Sequence, residues 1–76
     1  MTDPLAQLTP RQRVVLAGLA QSKTVKEIAW ELGLSPKTVE YHRHQLQDRL
    51  NIHDLAGLTR FALYCGLVPA HYPRRD

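Results

Sequence analysis

Two helix-start signals flanking one stop signal constrain the middle of this chain more tightly than any other feature. Thr24 is followed by Glu27, then Gly33, then Ser35-Pro36. Thr-x-x-Glu is a capping box: the hydroxyl takes the backbone N–H three residues on, and the carboxylate reaches back to the N–H of the threonine. Glycine readily adopts the left-handed turn that ends a helix, and proline in first helical position forfeits no hydrogen bond. The spacing therefore predicts a helix over 25–32, a very short turn, and a second helix over 36–50. Two helices joined this way form a helix-turn-helix, which holds its second member out like a probe that fits the major groove of B-DNA.

Similar signals bound two further helices. Thr9, with Pro10 in first position and Gln12 in third, opens one over 10–21. Val15, Leu16, Leu19 and Ala20 recur there at helical spacing with Gln12 on the same side, and Gly18 weakens the helix by about 1 kcal/mol relative to Ala. Val25, Ile28, Ala29 and Leu32 form the apolar face of helix 25–32, and Val39, Leu46 and Leu50 that of helix 36–50. Asn51-Ile52-His53 breaks the pattern. Asp54 then caps a helix over 55–65, stopped by Gly66, which turns Leu58, Phe61, Ala62 and Cys65 to the core. No alternating run supports a strand. The expected fold is all-α, a compact four-helix domain with a helix-turn-helix over residues 8–68. Residues 1–7 form a lead, and 69–76 a tail in which Pro69 and Pro73 leave no periodic pattern.

Seventy-six residues make one small domain, burying only about 60% of the surface its unfolded chain exposes. The single cysteine, Cys65, excludes an internal disulfide framework and fits a reducing compartment. No stretch approaches the roughly 20 apolar residues that cross a bilayer. The start, MTDPLAQLTP, lacks the basic and apolar regions of a secretory signal. A cytoplasmic location without a membrane partner is expected. Ten Lys and Arg against seven Asp and Glu give a net charge of +3. One copy offers few phosphate contacts, so tight and selective DNA binding calls for more than one.

The helix over 36–50 carries Lys37, Tyr41, His44 and Asp48 opposite Val39 and Leu46, with Glu40 and Gln45 flanking that stripe. Lys37, Tyr41 and His44 fall in the first two and a half turns, the part of a recognition helix that reaches base edges. His42 and Arg43 lie on the shoulders, where a head group touches phosphate while its stem covers core. A solvated face is the ordinary fate of polar helix positions. Tyr41, however, gains nothing from exposure, and the preceding turn is specific, so a DNA-reading face is the better account.

The runs Leu8-Thr9-Pro10-Arg11-Gln12, Lys26-Glu27-Ile28-Ala29 and Ser35-Pro36-Lys37-Thr38-Val39-Glu40-Tyr41-His42, with Gly66-Leu67, resemble the LuxR/NarL/FixJ-type DNA-binding domain over residues 8–68. The chain's size also resembles the free-standing spore-germination regulator of that group, a bare domain without a sensor. The resemblance implies a transcription regulator, or its DNA-binding part, that dimerises through the last helix and reads two half-sites of a roughly palindromic operator in double-stranded DNA. It assigns base-edge contacts to Glu40, Tyr41 and His44, and phosphate contacts to Thr24, Lys26, Lys37, Thr38, His42 and Arg43. Three positions depart from the family pattern: Gln12 replaces a usual Glu, Val25 a common Asn, and Glu40 a frequent Lys. A glutamate there accepts from cytosine N4 and is repelled by phosphate. Region 4 of a sigma factor shares the L-x-x-R-Q-R and E-I-A-x-x-L-G-x-S pattern but normally lacks the packed fourth helix. A protein-interaction module that has lost DNA is the alternative of another class, supported by the low net charge and Glu40.

Trp30 lies away from Ile28, Ala29 and Leu32. It is expected as a half-buried ring over another helix or the tail. The functional alternative is a contact for RNA polymerase or a regulatory domain, since tryptophan is enriched at such surfaces. Leu55, Thr59 and Leu63 form a second apolar line on the last helix, which a homodimer would cover. His42 and His44 are two apart and point to different sides of a helix, so no metal site is expected. Cys65 lies on an apolar face, where a structural cysteine is ordinary. With no glycine-rich phosphate loop or carboxylate pair, neither catalysis nor a cofactor is expected.

Overall fold

Each α-helix starts at a side chain that satisfies a backbone N–H left over by the first turn. In the computed structural model, which describes residues 3–69, the helices are α1 (Pro10–Ala20), α2 (Val25–Leu32), α3 (Pro36–Leu50) and α4 (Leu55–Tyr64). Thr9 Oγ1 accepts from the Gln12 N–H at 3.1 Å, while Gln12 Oε1 accepts from the Thr9 N–H at 2.9 Å. Thr24 and Glu27 repeat the box at the same two distances. Ser35 Oγ accepts from the Thr38 N–H at 3.1 Å, and Asp54 Oδ2 from the Gly57 N–H at 2.9 Å. All four caps stand where the sequence places them.

The helix ends share one geometry. At α2, Gly33 is left-handed (φ 68°), the Leu34 N–H donates back to Ala29 O at 2.9 Å, and the Gly33 N–H to Trp30 O at 3.3 Å. This Schellman turn redirects the chain within three residues and fixes the angle at which α3 leaves α2. Ser22, Asn51 and Gly66, also at positive φ, close α1, α3 and α4 with the same pair of bonds. Gln21 and Cys65 serve as C-caps, so α1 and α4 each stop one residue short of the expected boundary.

Helix α1 packs on α3 and α4, and α2 packs chiefly on α3. Between them lies a core of Val15, Leu16, Leu19, Ile28, Ala29, Val39, Leu46, Leu58, Ala62 and Val68. Full burial of each large aliphatic side chain contributes about 1.5–3 kcal/mol relative to exposure. Gly18 has a packing reason: a Cβ there would stand 2.9 Å from Ile28 Cδ1 and Cγ1. The glycine lets α1 and α2 approach, at the cost of helix propensity noted above.

The lead contains an unforeseen element, a 3₁₀ turn over Pro4–Gln7. Asp3 Oδ1 accepts from the Leu5 N–H at 2.9 Å; Leu5 packs on the core and Leu8 is buried within it. The turn lies outside the 8–68 span, so the apolar cover extends further toward the N-terminus than expected. No strand occurs among the described residues. Of the tail, only Pro69 falls within them; the rest lies outside the described residues.

Candidate nucleic-acid interface

Packing decides which flank of α3 faces outward. Val39 and Leu46 are completely buried. The opposite stripe is open: Lys37, His44, Gln45 and Asp48 are exposed, and Tyr41 is 60% exposed. A tyrosine with this much of its ring in water contributes little to the fold and is free for contact with another molecule.

The two shoulders of α3 are built differently. On one, Thr38 is half-buried with Oγ1 2.9 Å from Ser35 Oγ, so two hydroxyls sit together at the helix start. His42 on the same shoulder is half-buried, and its ring meets Tyr41 edge-on with centroids 5.7 Å apart and planes at 68°. That contact limits the orientations open to both rings. On the other shoulder, Arg43 Nε donates to Glu40 Oε1 at 3.0 Å. The two side chains are 28% and 43% exposed and line a hollow of about 280 Å³ with Leu19, Lys23, Val25, Gln47 and Leu58 among others. Glu40 therefore stands on the rim beside the start of α2, not on the outermost line with Tyr41. The pairing is absent from the expectations above, although its signal, opposite charges at i and i+3 of a helix, is present in the sequence.

Helix α2 adds Thr24 and Lys26, both exposed. Thr24 Oγ1 already accepts from the Glu27 N–H, which leaves its O–H to donate outward. Lys23 Nζ pairs with Glu31 at 2.8 Å. Trp30 corrects an expectation: it is 85% exposed, not half-buried over a neighbour. The reason is that α2 presents Ile28 and Ala29 to the core, which turns Lys26 and Trp30 to the far side; there Trp30 borders a shallow hollow with Lys26, Glu27 and Glu31.

On α4, Leu55 is 56% and Leu63 38% exposed, with Thr59 half-buried between them. Cys65 is half-buried, and burial, followed by the nearby Asp3 carboxylate, raises its pKa above the ordinary thiol value. A thiol held protonated is a poor nucleophile. No group of three His, Cys, Asp or Glu placed to hold a metal occurs among the described residues. No helix there is long and apolar enough to cross a membrane.

What the arrangement offers is a helix with a polar outer stripe and with hydroxyls and cations along its edges. Residues 6–62 match the family model described as bacterial regulatory proteins, luxR family. The chain is similar to the transcriptional regulatory protein UhpA of Escherichia coli (strain K12), with 53% identity over 58 residues, covering 76% of this chain and 28% of that protein. It is 43% identical over 67 residues to the transcriptional regulatory protein MctR of Rhizobium johnstonii, covering 88% of this chain and 30% of that one. It is 39% identical over 66 residues to the transcriptional regulatory protein FixJ of Azorhizobium caulinodans, covering 87% and 31%. The chain thus spans about three tenths of the length of these curated relatives. No solved structure matches it.

Proposed function

The chain belongs to the luxR family of bacterial regulatory proteins, and from that membership we propose how its helix-turn-helix meets DNA. Helix α3 enters the major groove of a double-stranded operator, with Glu40, Tyr41 and His44 at base edges. Thr24, Lys26, Lys37, Thr38, His42 and Arg43 hold phosphates on either side. The DNA-binding unit is residues 8–68, acting in the cytoplasm as a transcription regulator or as its DNA-binding part. Two copies join through Leu55, Thr59 and Leu63 of α4 and read a pseudo-palindromic site.

One observation carries the reading: the flank of α3 opposite Val39 and Leu46 stays open, with Tyr41 60% exposed at its centre. Nothing in the fold requires a tyrosine there, whereas a groove-reading helix uses polar and aromatic side chains at that place. Selection of bound duplexes from a randomised pool tests the reading as a whole. Two inverted half-sites separated by about one helical turn are the expected product. Enrichment of a single unrepeated half-site would remove the dimer, and no enrichment would remove sequence-specific binding. A protein-contact role for the domain draws on the exposure of Trp30; retention of a protein partner by a chain that enriches no duplex would favour it.

A further inference from the structure

We infer that Arg43 acts through Glu40, orienting its carboxylate so that each half-site is read at one position as a cytosine-bearing base pair. The inference rests on the groove-reading role of α3 proposed above and specifies what one shoulder of that helix recognises.

A lone carboxylate is ill suited to a groove walled by phosphates, because like charges repel across the few ångströms involved. Here the carboxylate is not alone. Arg43 Nε donates to Glu40 Oε1 at 3.0 Å, and the pair presents no net charge to the DNA. Nε is the innermost donor of the guanidinium, so the terminal N–H groups are left for an adjacent phosphate. On the carboxylate, one oxygen is taken up by the arginine and the other remains an acceptor. The pair is thus a compound reader: an acceptor for a base edge, locked to a donor fork for the backbone.

The acceptor favours cytosine for a geometric reason. Donors in the major groove are cytosine N4 and adenine N6, and adenine sets its N7 lone pair beside that amine, where a carboxylate is repelled. Cytosine has no acceptor on that side. The setting restricts both partners as well, because they share the hollow over Leu19, Val25 and Leu58, which limits the directions open to their stems. Arginine is also the residue the arrangement needs. A lysine carries the same charge but cannot grip a carboxylate with one nitrogen while offering others in a fixed plane to phosphate.

The test is duplex selection from a randomised pool with the wild-type chain and with Glu40→Gln, Arg43→Lys and Arg43→Ala, each first shown to melt as the wild type does. The wild type should enrich cytosine at one position in each half-site. Glu40→Gln should move that single position toward adenine, which an amide pairs with as donor and acceptor, and leave the rest of the motif unchanged. Arg43→Lys should weaken the wild-type consensus by about 10-fold more than it weakens duplexes with another base at that position, so the preference for cytosine falls by that factor. If Arg43→Lys keeps the cytosine preference while Arg43→Ala weakens every duplex alike, arginine is a plain phosphate contact and the inference is overturned. A wild-type motif untouched by Glu40→Gln overturns it too, while leaving groove reading intact. Failure of the wild type to enrich any duplex instead overturns the proposed function, and this inference with it.

Discussion

Replacing Lys37 with alanine should change the salt dependence of DNA binding more clearly than it changes affinity at any one salt concentration. Of the six side chains proposed to hold phosphates, only Lys26, Lys37 and Arg43 carry a full positive charge, and that of Arg43 is cancelled by Glu40 at 3.0 Å. Lys26 and Lys37 are exposed. In the proposed dimer, two such lysines in each copy would neutralise about four phosphates, each contributing about −0.9 to the slope of log K against log salt. The expected slope is about −3.6, so raising salt from 50 to 200 mM should weaken binding about 150-fold. Lys37→Ala removes one contact per copy, which should bring the slope to about −1.8 and the loss to about 12-fold over the same range. Fluorescence anisotropy of a labelled operator duplex, titrated at four or five salt concentrations and fixed pH, reads these slopes directly. A variant slope equal to that of the wild type would refute the assignment of Lys37 to phosphate. A wild-type slope near −1.8 would instead indicate that one copy binds at a time.

Four further outcomes are expected. Tyr41→Ala or His44→Ala should lower discrimination between operator and random duplex by about 1–3 kcal/mol; equal weakening on both duplexes would dissociate these residues from base reading. Leu63→Asp puts a charge on the exposed line of α4 and should shift sedimentation toward monomer, so an unchanged profile would dismiss that interface. Gly18→Ala gains about 1 kcal/mol of helix propensity but drives a methyl to 2.9 Å from buried Ile28, overpacking that typically costs about 1–3 kcal/mol. The net loss should lower the melting temperature, and a higher one would contradict the close approach of α1 and α2. The raised pKa of Cys65 means the folded state holds the thiol proton more tightly than the unfolded chain does. Its contribution is therefore fully present below the ordinary thiol pKa and lost as pH rises through the raised value. Cys65→Ser should flatten that alkaline decline in a series of denaturation curves; an identical decline in both proteins would assign it to other groups.

Much of the fold is legible from short-range chemistry. Thr9, Thr24, Ser35 and Asp54 cap their helices through residues three positions on, and Gly33, Asn51 and Gly66 end them through bonds spanning five residues or fewer. Interactions that close within so short a stretch need no distant partner, so the residue types settle the helix boundaries. The inward faces follow for the same reason, since helical periodicity sorts side chains by direction before anything packs against them. Ser22, the left-handed residue that ends α1, carries no such signal in the sequence, because serine seldom adopts that conformation.

The sequence by itself determined where each α-helix begins and, to within one residue, where it ends, which flank of each is apolar, and that the outer stripe of α3 is polar around an aromatic. Only the tertiary structure decided what lies beside what. It left Trp30 uncovered because α2 turns its other face to the core, and it made Gly18 a contact point because Ile28 comes in from the next helix. It brought Leu5 and Leu8 over the core from a segment with no helical period of its own, and it set the paired Glu40 and Arg43 on a rim walled by residues of α1, α2 and α4. The division follows the range of the forces: hydrogen bonds at helix ends are satisfied locally, whereas burial depends on which surfaces meet, and those surfaces come from parts of the chain far apart in sequence.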